Sequence, residues 1–334
     1  MQTTVIKDKD RVWLEGVNGW FMGDRESSVH AAQAAIMESL GEAISYADLV
    51  AVSGLAFRMQ VSKKGLCPSS PHPFCGYQCV KRSIQAIPYH IEVCEVSSDD
   101  AEKVEKTRQA IIASIDRGIP VQYGNEEDGI IIGYQNQGKA WICYHPLREG
   151  GKKTFVETEW PWGIAIFTEH KIDNPSMDQL TAGTLRQAVE MAESCESGDY
   201  FVGWAAWDAY LNKLRQLQTA DEITIHENVM GNAWIYECLV KYRRIAANYL
   251  MNVSAEFDPT SEQHLVDAAN LYKKMANDIL TDSSHSILTV VPFPWSLKKD
   301  ETWTTDQRAA QISRLEQAFL LEQQAINHIK LVVP

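Results

Sequence analysis

Two short stretches of the 334-residue chain combine side chains that can do chemistry. The first is Asp24-Arg25-Glu26-Ser27-Ser28, which runs into a segment with apolar residues at helical spacing. A helix start is an anion site whatever its side chains, because its amide hydrogens are exposed and its dipole points the right way. Arg25 there can hold a carboxylate or phosphate while a serine donates a hydrogen bond or attacks. The competing reading is an N-cap serine beside a surface Arg25–Glu26 pair. His30 follows on the first turn and is a further candidate for the same place.

The second stretch is GLCPSSPHPFCGYQC, residues 65–79, which carries Cys67, His72, Cys75 and Cys79. Thiolate and imidazole suit zinc, but structural zinc sites usually pair ligands as two cysteines with about two to four residues between them, and here the gaps between Cys67, Cys75 and Cys79 are seven and three residues. A helix over residues 74–83 would set Cys75 and Cys79 one turn apart. Without a metal, the stretch reads as a Pro-rich loop leading into a helix with small buried cysteines. A third reading makes Cys75 or Cys79 a displaced catalytic thiol with His72 nearby. Farther on, His145 beside Tyr144 and Arg148 can serve as acid, base or anion ligand at a strand end, or be a satisfied surface group.

The elements that must position these groups are legible from caps and periodicity. Ser27 or Ser28 caps a helix with Val29, Ala32, Ile36 and Leu40 on its apolar side and Gly41 as its stop. Ser45 and Asp48 form a capping box for a short helix over residues 46–52. Ser98, Asp99 and Asp100 open a third, with Val104, Ile111, Ile112 and Ile115 buried and Gly118 past its end. Strands are expected over residues 89–96, 119–123, 129–134, 140–144 and 163–168. Their close succession reads as an antiparallel meander, so the N-terminal half is α+β.

From Pro175 the spacing turns helical. Trp234, Cys238, Tyr242, Ile245 and Tyr249 recur every three or four residues, as do Ile312, Leu315 and Phe319, with Ile326 farther on. Residues 265–280 form another helix, and Pro292-Phe293-Pro294 is a connector. Asp173-Asn174-Pro175 marks the boundary between a domain over residues 1–172 and an all-α domain over residues 175–334. Trp204, Trp207, Tyr210 and Trp234 read as a core stripe, or alternatively as the cover of a ligand cleft.

The net charge of −13 excludes several partners. Residues 1–170 carry 17 basic and 22 acidic side chains, and the remainder 14 and 22, so neither half offers a basic footprint for nucleic acid or an anionic membrane surface. No apolar run has the length of a signal peptide core or a spanning helix, which predicts a cytoplasmic protein with seven reduced cysteines.

Three stretches give the N-terminal half a family resemblance: Asp24-Arg25-Glu26-Ser27 opening a helix, YADLVAVSGLAF (residues 46–57) and GIIIGYQNQGKAWICYHP (residues 129–146). Together they resemble the papain-like domain of the butirosin biosynthesis protein H family, which is similar to bacteriocin-processing cysteine peptidases. The resemblance also implies a helical C-terminal region, beginning at GWAAWDAY (residues 203–210). Family members place a catalytic Cys at the start of the first helix, a His at the start of the strand leading into the Gly-Tyr turn, and an Asp or Asn before the Pro ending the next strand. Those positions fall here on Arg25, on Glu127 or Asp128, and on His145. An Arg cannot attack and a carboxylate cannot supply an imidazolium, so the resemblance implies a papain-like fold without its triad.

The leading expectation is therefore a small-molecule or peptide-like ligand held by Arg25, Glu26, Ser27, Ser28, Asp128, Tyr144 and His145, with no cofactor and zinc as the alternative at Cys67, His72, Cys75 and Cys79. A second is an acyltransferase or amide hydrolase with a relocated nucleophile, Ser27, Cys75 or Cys79, and Asp128 or His145 as base. A third is a scaffolding protein, or a homo-oligomer, acting through the helical domain.

Overall fold

The computed structural model describes residues 3–95, 99–292, 294 and 302–333, so Val96, Ser98 and Phe293 lie outside the described residues. Along the chain run β1 (Thr4–Asp8), β2 (Arg11–Glu15), α1 (Ser28–Leu40), α2 (Tyr46–Val52), β3 (Gln60–Ser62), α3 (Lys81–Ala86), β4 (Tyr89–Glu95), α4 (Ala101–Asp116), β5 (Val121–Gly124), β6 (Asp128–Gln135), β7 (Ala140–Tyr144), β8 (Phe155–Glu157) and β9 (Gly163–His170). There follow α5 (Met177–Glu193), β10 (Glu196–Ser197), β11 (Tyr200–Val202), α6 (Gly203–Leu217), α7 (Glu222–Val253), α8 (Pro259–Lys274) and α9 (Thr305–Val332). The fold is mixed α+β with most of its helix in the C-terminal half. Among the described residues no helix is long and apolar enough to cross a membrane.

The chain forms two compact units: Met1–Leu49 with Ile84–Asn174, and Val50–Ser83 with Pro175–Pro334. A single cut at residues 173–175 leaves residues 50–83 with the N-terminal half; they pack in unit 2 instead.

Unit 1 is built on an eight-stranded sheet in the order β1-β2-β6-β5-β9-β4, with β7 and β8 branching from β6, and every pairing is antiparallel. Strands β5 to β8 follow one another as a meander, but β9 returns to the far edge of β5 and takes β4 beside it. One edge of β6 pairs with β5 along residues 128–131 and with β2 along residues 133–135. The β1–β2 hairpin turns through Lys9 at φ 53° and carries Val12 and Leu14 into the core. The strands expected from the sequence begin only at residue 89, so this hairpin is an addition to them.

Helix α1 begins and ends at the residues expected, though Ser27 makes no side-chain cap bond. Ser27 is the N-cap, and Gly41 at φ 83° bonds back to Glu38 and Met37. The helix is buried almost all round, which its four alanines permit, so Ser28 and His30 are fully enclosed along with the apolar stripe. The Ser45–Asp48 capping box of α2 is formed in both directions, 2.9 and 3.2 Å. Asp100 caps α4 by accepting from the Lys103 amide at 3.0 Å.

Unit 2 is not all helix. Strands β10 and β11 form a hairpin through Ser197-Gly198-Asp199, and β11 pairs with β3. This small sheet corrects the expectation of an all-α C-terminal domain. The tight turn and the strands of two and three residues are too short to break a helical pattern read over wider windows. The aromatic stripe is core: Trp207 and Tyr210 are fully buried, Trp207 stacks on Phe319 at 5.4 Å, and the Tyr210 hydroxyl donates to Asn232 Oδ1 at 2.8 Å.

At the centre of unit 2, the Arg243 guanidinium donates to both oxygens of Glu322, at 2.7 and 2.8 Å, with the two side chains 0% and 2% exposed. Its remaining nitrogen donates to the Ala56 carbonyl at 2.8 Å, and its flat face lies 5.6 Å from the Tyr272 ring. Removing one partner of such a pair strands the other charge in the core. Arg243→Met is expected to lower the unfolding free energy by about 3–5 kcal/mol, whereas replacing both Arg243 and Glu322 by apolar residues recovers most of that loss. Urea unfolding curves of the two variants check this.

Candidate functional site

The start of α1 meets the start of β6 through hydroxyl and carboxyl groups. The Ser28 hydroxyl donates to Glu127 Oε2 at 2.5 Å and accepts from the Asp128 amide at 3.0 Å, so both of its roles are taken. Asp128 Oδ1 accepts from the Gln122 side chain at 2.7 Å. One residue earlier, the Ser27 hydroxyl does not cap the helix; it lies 2.7 Å from Nδ1 of His30 on the same helix face. The Ser27 amide donates to the Tyr46 hydroxyl at 3.0 Å.

Burial sets the electrostatics. Withdrawal from water pushes the Glu127 carboxyl up to about 7, against the opposing hydrogen bond from Ser28, with Asp128 adding a like charge. It pushes Asp128 up to about 6, opposed by Gln122. A carboxyl near neutrality beside a hydroxyl can accept or hold a proton there.

His145 is held differently. Its Nδ1 accepts from the Leu147 amide at 3.3 Å, which leaves the proton on Nε2 to donate to the Glu127 carbonyl at 3.2 Å. Burial then holds it below the ordinary histidine range. It is a neutral imidazole with both nitrogens bonded to backbone, not to Ser27 or Ser28. Asp128 likewise spends its bonded carboxylate oxygen on Gln122. Of the bases expected for a serine, neither the Asp128 carboxyl nor the His145 imidazole bonds to one; the Glu127 carboxyl and the His30 ring do.

Arg25, expected as an anion ligand, already has a carboxylate partner in the chain. Its guanidinium pairs with Glu38 at 2.7 Å and lies 5.9 Å from the Tyr46 ring. Glu26 is buried next to it in sequence. Tyr144 is half-buried at the end of β7. Ser28, Asp128 and His145 are thus brought together around Glu127, while Ser27 turns to His30 and Tyr46. The Ser27–His30 pair was open to sequence reasoning as an (i, i+3) spacing on one helix. The Ser28–Glu127 contact spans 99 residues and left no local signal.

In unit 2, Cys67, His72, Cys75 and Cys79 go to separate partners, and no three bring their ligand atoms within 4.8 Å. Cys67 Sγ lies 2.8 Å from the Ser69 hydroxyl, and Cys79 Sγ faces the Tyr77 carbonyl and Met191 Sδ at 3.6 and 3.8 Å. The cause is Arg58, a buried guanidinium that donates to the carbonyls of Ser70, Pro71, His72, Cys75 and Tyr77. Gln60 adds bonds to Ser70, Cys75 and Tyr77, and Gly76 at φ 63° packs so closely that a Cβ there would meet Gln60 Oε1 at 2.4 Å. These bonds hold residues 70–77 as a loop, so Cys75 and Cys79 do not share a helix face; α3 begins only at Lys81. Burial pushes the Cys79 thiol up and His72 down to about 4, the reverse of what a thiolate–imidazolium pair needs.

Unit 1 has a shallow cavity of about 220 Å³ lined by Val104, Arg108, Lys139, Trp141, Thr158 and Trp160, none of them an expected ligand residue. Arg108 lies over both tryptophan rings, at 6.0 and 5.6 Å. No protein-family model matches the chain, and no curated protein matches it.

The carboxyl pair makes stability depend on pH in a definite direction. Both groups bind protons more tightly in the fold than in the unfolded chain, so their contribution is fully present at low pH and is lost as pH rises. The loss runs from about 4 to 6 for Asp128 and from about 4.5 to 7 for Glu127. Glu127→Gln is expected to flatten the upper part of this slope and to be more stable than wild type at alkaline pH by up to about 3 kcal/mol. Denaturant unfolding at several pH values reads both effects.

Proposed function

We propose that unit 1 is a papain-like domain in which the catalytic place has become a binding site for a small or peptide-like ligand carrying an amine. Two features of its architecture support the papain-like reading: α1 packs on β5 and β6, and its first turn meets the strand start where the family resemblance puts the triad. What stands there is Ser28 against Glu127, and this 2.5 Å contact carries the proposal. The helix start already has a carboxyl group of the chain beside it, and Arg25 is engaged by Glu38, so an anionic ligand is disfavoured. A cation is favoured instead. An ammonium beside Glu127 would convert it to the carboxylate, gaining an ion pair in a partly desolvated place.

Ser27 and Ser28 are 1% and 0% exposed, whereas Glu127 is only half-buried. A nucleophile must reach a substrate carbonyl, while a carboxyl can bind from the edge of the network. Binding is therefore the better-supported reading. One observation favours the alternative of a relocated serine nucleophile in an acyltransferase or amide hydrolase: the 2.7 Å separation of Ser27 Oγ and His30 Nδ1, a distance suited to proton transfer.

Calorimetry with N-acetyl-lysinamide and its ε-acetylated analogue tests the proposal. The free amine is expected to bind, more tightly at pH 8 than at pH 6 because Glu127 ionises across that range, and the acetylated analogue is not. Glu127→Gln is expected to remove both the binding and its pH dependence. Absence of binding, or binding indifferent to Glu127→Gln, rejects the proposal. Stoichiometric labelling of Ser27 by a fluorophosphonate, lost in His30→Gln, would favour the serine nucleophile instead.

A further inference from the structure

Helices α8 and α9 of unit 2 bring together three side chains that the sequence leaves far apart. His264 and Asp267 lie three residues apart on α8, and His328 lies on α9. Their ligand atoms, one from each residue, lie within 4.8 Å of one another, the group of this kind found among the described residues. The two Nδ1 atoms are 3.2 Å apart, and Asp267 Oδ2 is 4.0 Å from Nδ1 of His328.

We propose that His264, Asp267 and His328 bind a divalent transition-metal ion, with zinc as the reference metal. In a tetrahedral zinc site with nitrogen ligands about 2.0–2.1 Å from the metal, neighbouring ligand atoms stand roughly 3.3 Å apart. The two imidazole nitrogens already meet that spacing. The carboxylate oxygen stands farther out, 4.0 Å from Nδ1 of His328 and within 4.8 Å of the His264 ligand atom, so rotation of the Asp267 side chain has to bring it inward. A simple imidazole–imidazole hydrogen bond would account for the 3.2 Å contact alone. It would not by itself account for the carboxylate oxygen 4.0 Å from Nδ1 of His328, close to both rings yet too far for a hydrogen bond of its own.

The surroundings are those of a built site. The other oxygen of Asp267 accepts from Gln263 Nε2 at 2.9 Å, which orients the carboxylate from behind. Leu265 and Ala268 on α8, and Ala325 and Ile329 on α9, are fully buried and fix both helices beneath the ligands. The three ligands themselves are half-buried, so a fourth position stays open to water. Two histidines and one carboxylate bind several first-row metals, in affinities that follow the usual order rather than selecting zinc.

Zinc chloride titrated calorimetrically into the purified full-length chain is expected to show one equivalent bound and to raise the melting temperature. His264→Gln and His328→Gln are each expected to weaken binding by more than about a hundredfold, beyond what loss of an outer-shell partner costs. Should a glutamine variant fail to fold, Asp267→Asn at its half-buried position is the second variant, with the same expectation of weakened binding. The cobalt(II) form is expected to give the visible bands of a low-coordinate nitrogen–oxygen site without a sulfur-to-metal charge-transfer band. Absence of zinc binding, binding unchanged in the His264→Gln/His328→Gln double variant, or a sulfur band showing capture by cysteine thiols overturns the proposal.

Discussion

A carboxyl group withdrawn from water beside the start of a helix governs the chemistry of unit 1. Glu127 is made tolerable there by a single hydroxyl, that of Ser28, and the same hydroxyl takes the amide hydrogen of Asp128. One serine thus satisfies two groups at the start of β6 while belonging to α1, so helix and sheet are registered by a bond with no slack. The neighbouring polar groups follow from this. Asp128 turns to Gln122, and His145 donates to the Glu127 carbonyl.

Unit 2 solves the corresponding problem with guanidinium groups. Arg243 meets a carboxylate in the planar, two-pronged fashion that suits it, and Arg58 meets only carbonyl oxygens. Lysine could replace neither, since a point charge with three donors cannot span five carbonyls or match both oxygens at once. The loop that Arg58 gathers is rich in proline and serine, with few regular backbone bonds of its own. Its order is borrowed from a side chain more than ten residues upstream.

These long reaches explain what the sequence disclosed and what it withheld. Helix α1, the capping box of α2 and the cap of α4 were legible because their signals lie within four residues of one another. The strands β4 to β7 and β9 were legible by composition, but not the return of β9 to β5. Ser28, Asp128 and His145 stood among the candidates for one place, but the partners they take there, Glu127 and Gln122, lie far along the chain and left no local signal. Arg25 reads in the sequence as an anion ligand or as half of a surface pair with Glu26, and its partner is instead Glu38, thirteen residues on in the last turns of α1. His264 and Asp267 stood at helical spacing all along, while His328, sixty-four residues beyond His264, gave no reason to join them.

Residues 50–83 have a consequence for how the protein is made. The chain enters unit 2, leaves it and returns, passing between Leu49 and Val50, Ser83 and Ile84, and Asn174 and Pro175. During synthesis β3 and the Arg58 loop leave the ribosome more than a hundred residues before β11, the strand that pairs with β3. Until then that segment has no partner edge to close against. Nor can either unit be excised by one cut: a fragment starting at Pro175 lacks β3 and Arg58, and Ala56, whose carbonyl Arg243 needs, is lost with them. The two units are interleaved in sequence, so any dissection of this protein has to rejoin the chain and not merely truncate it.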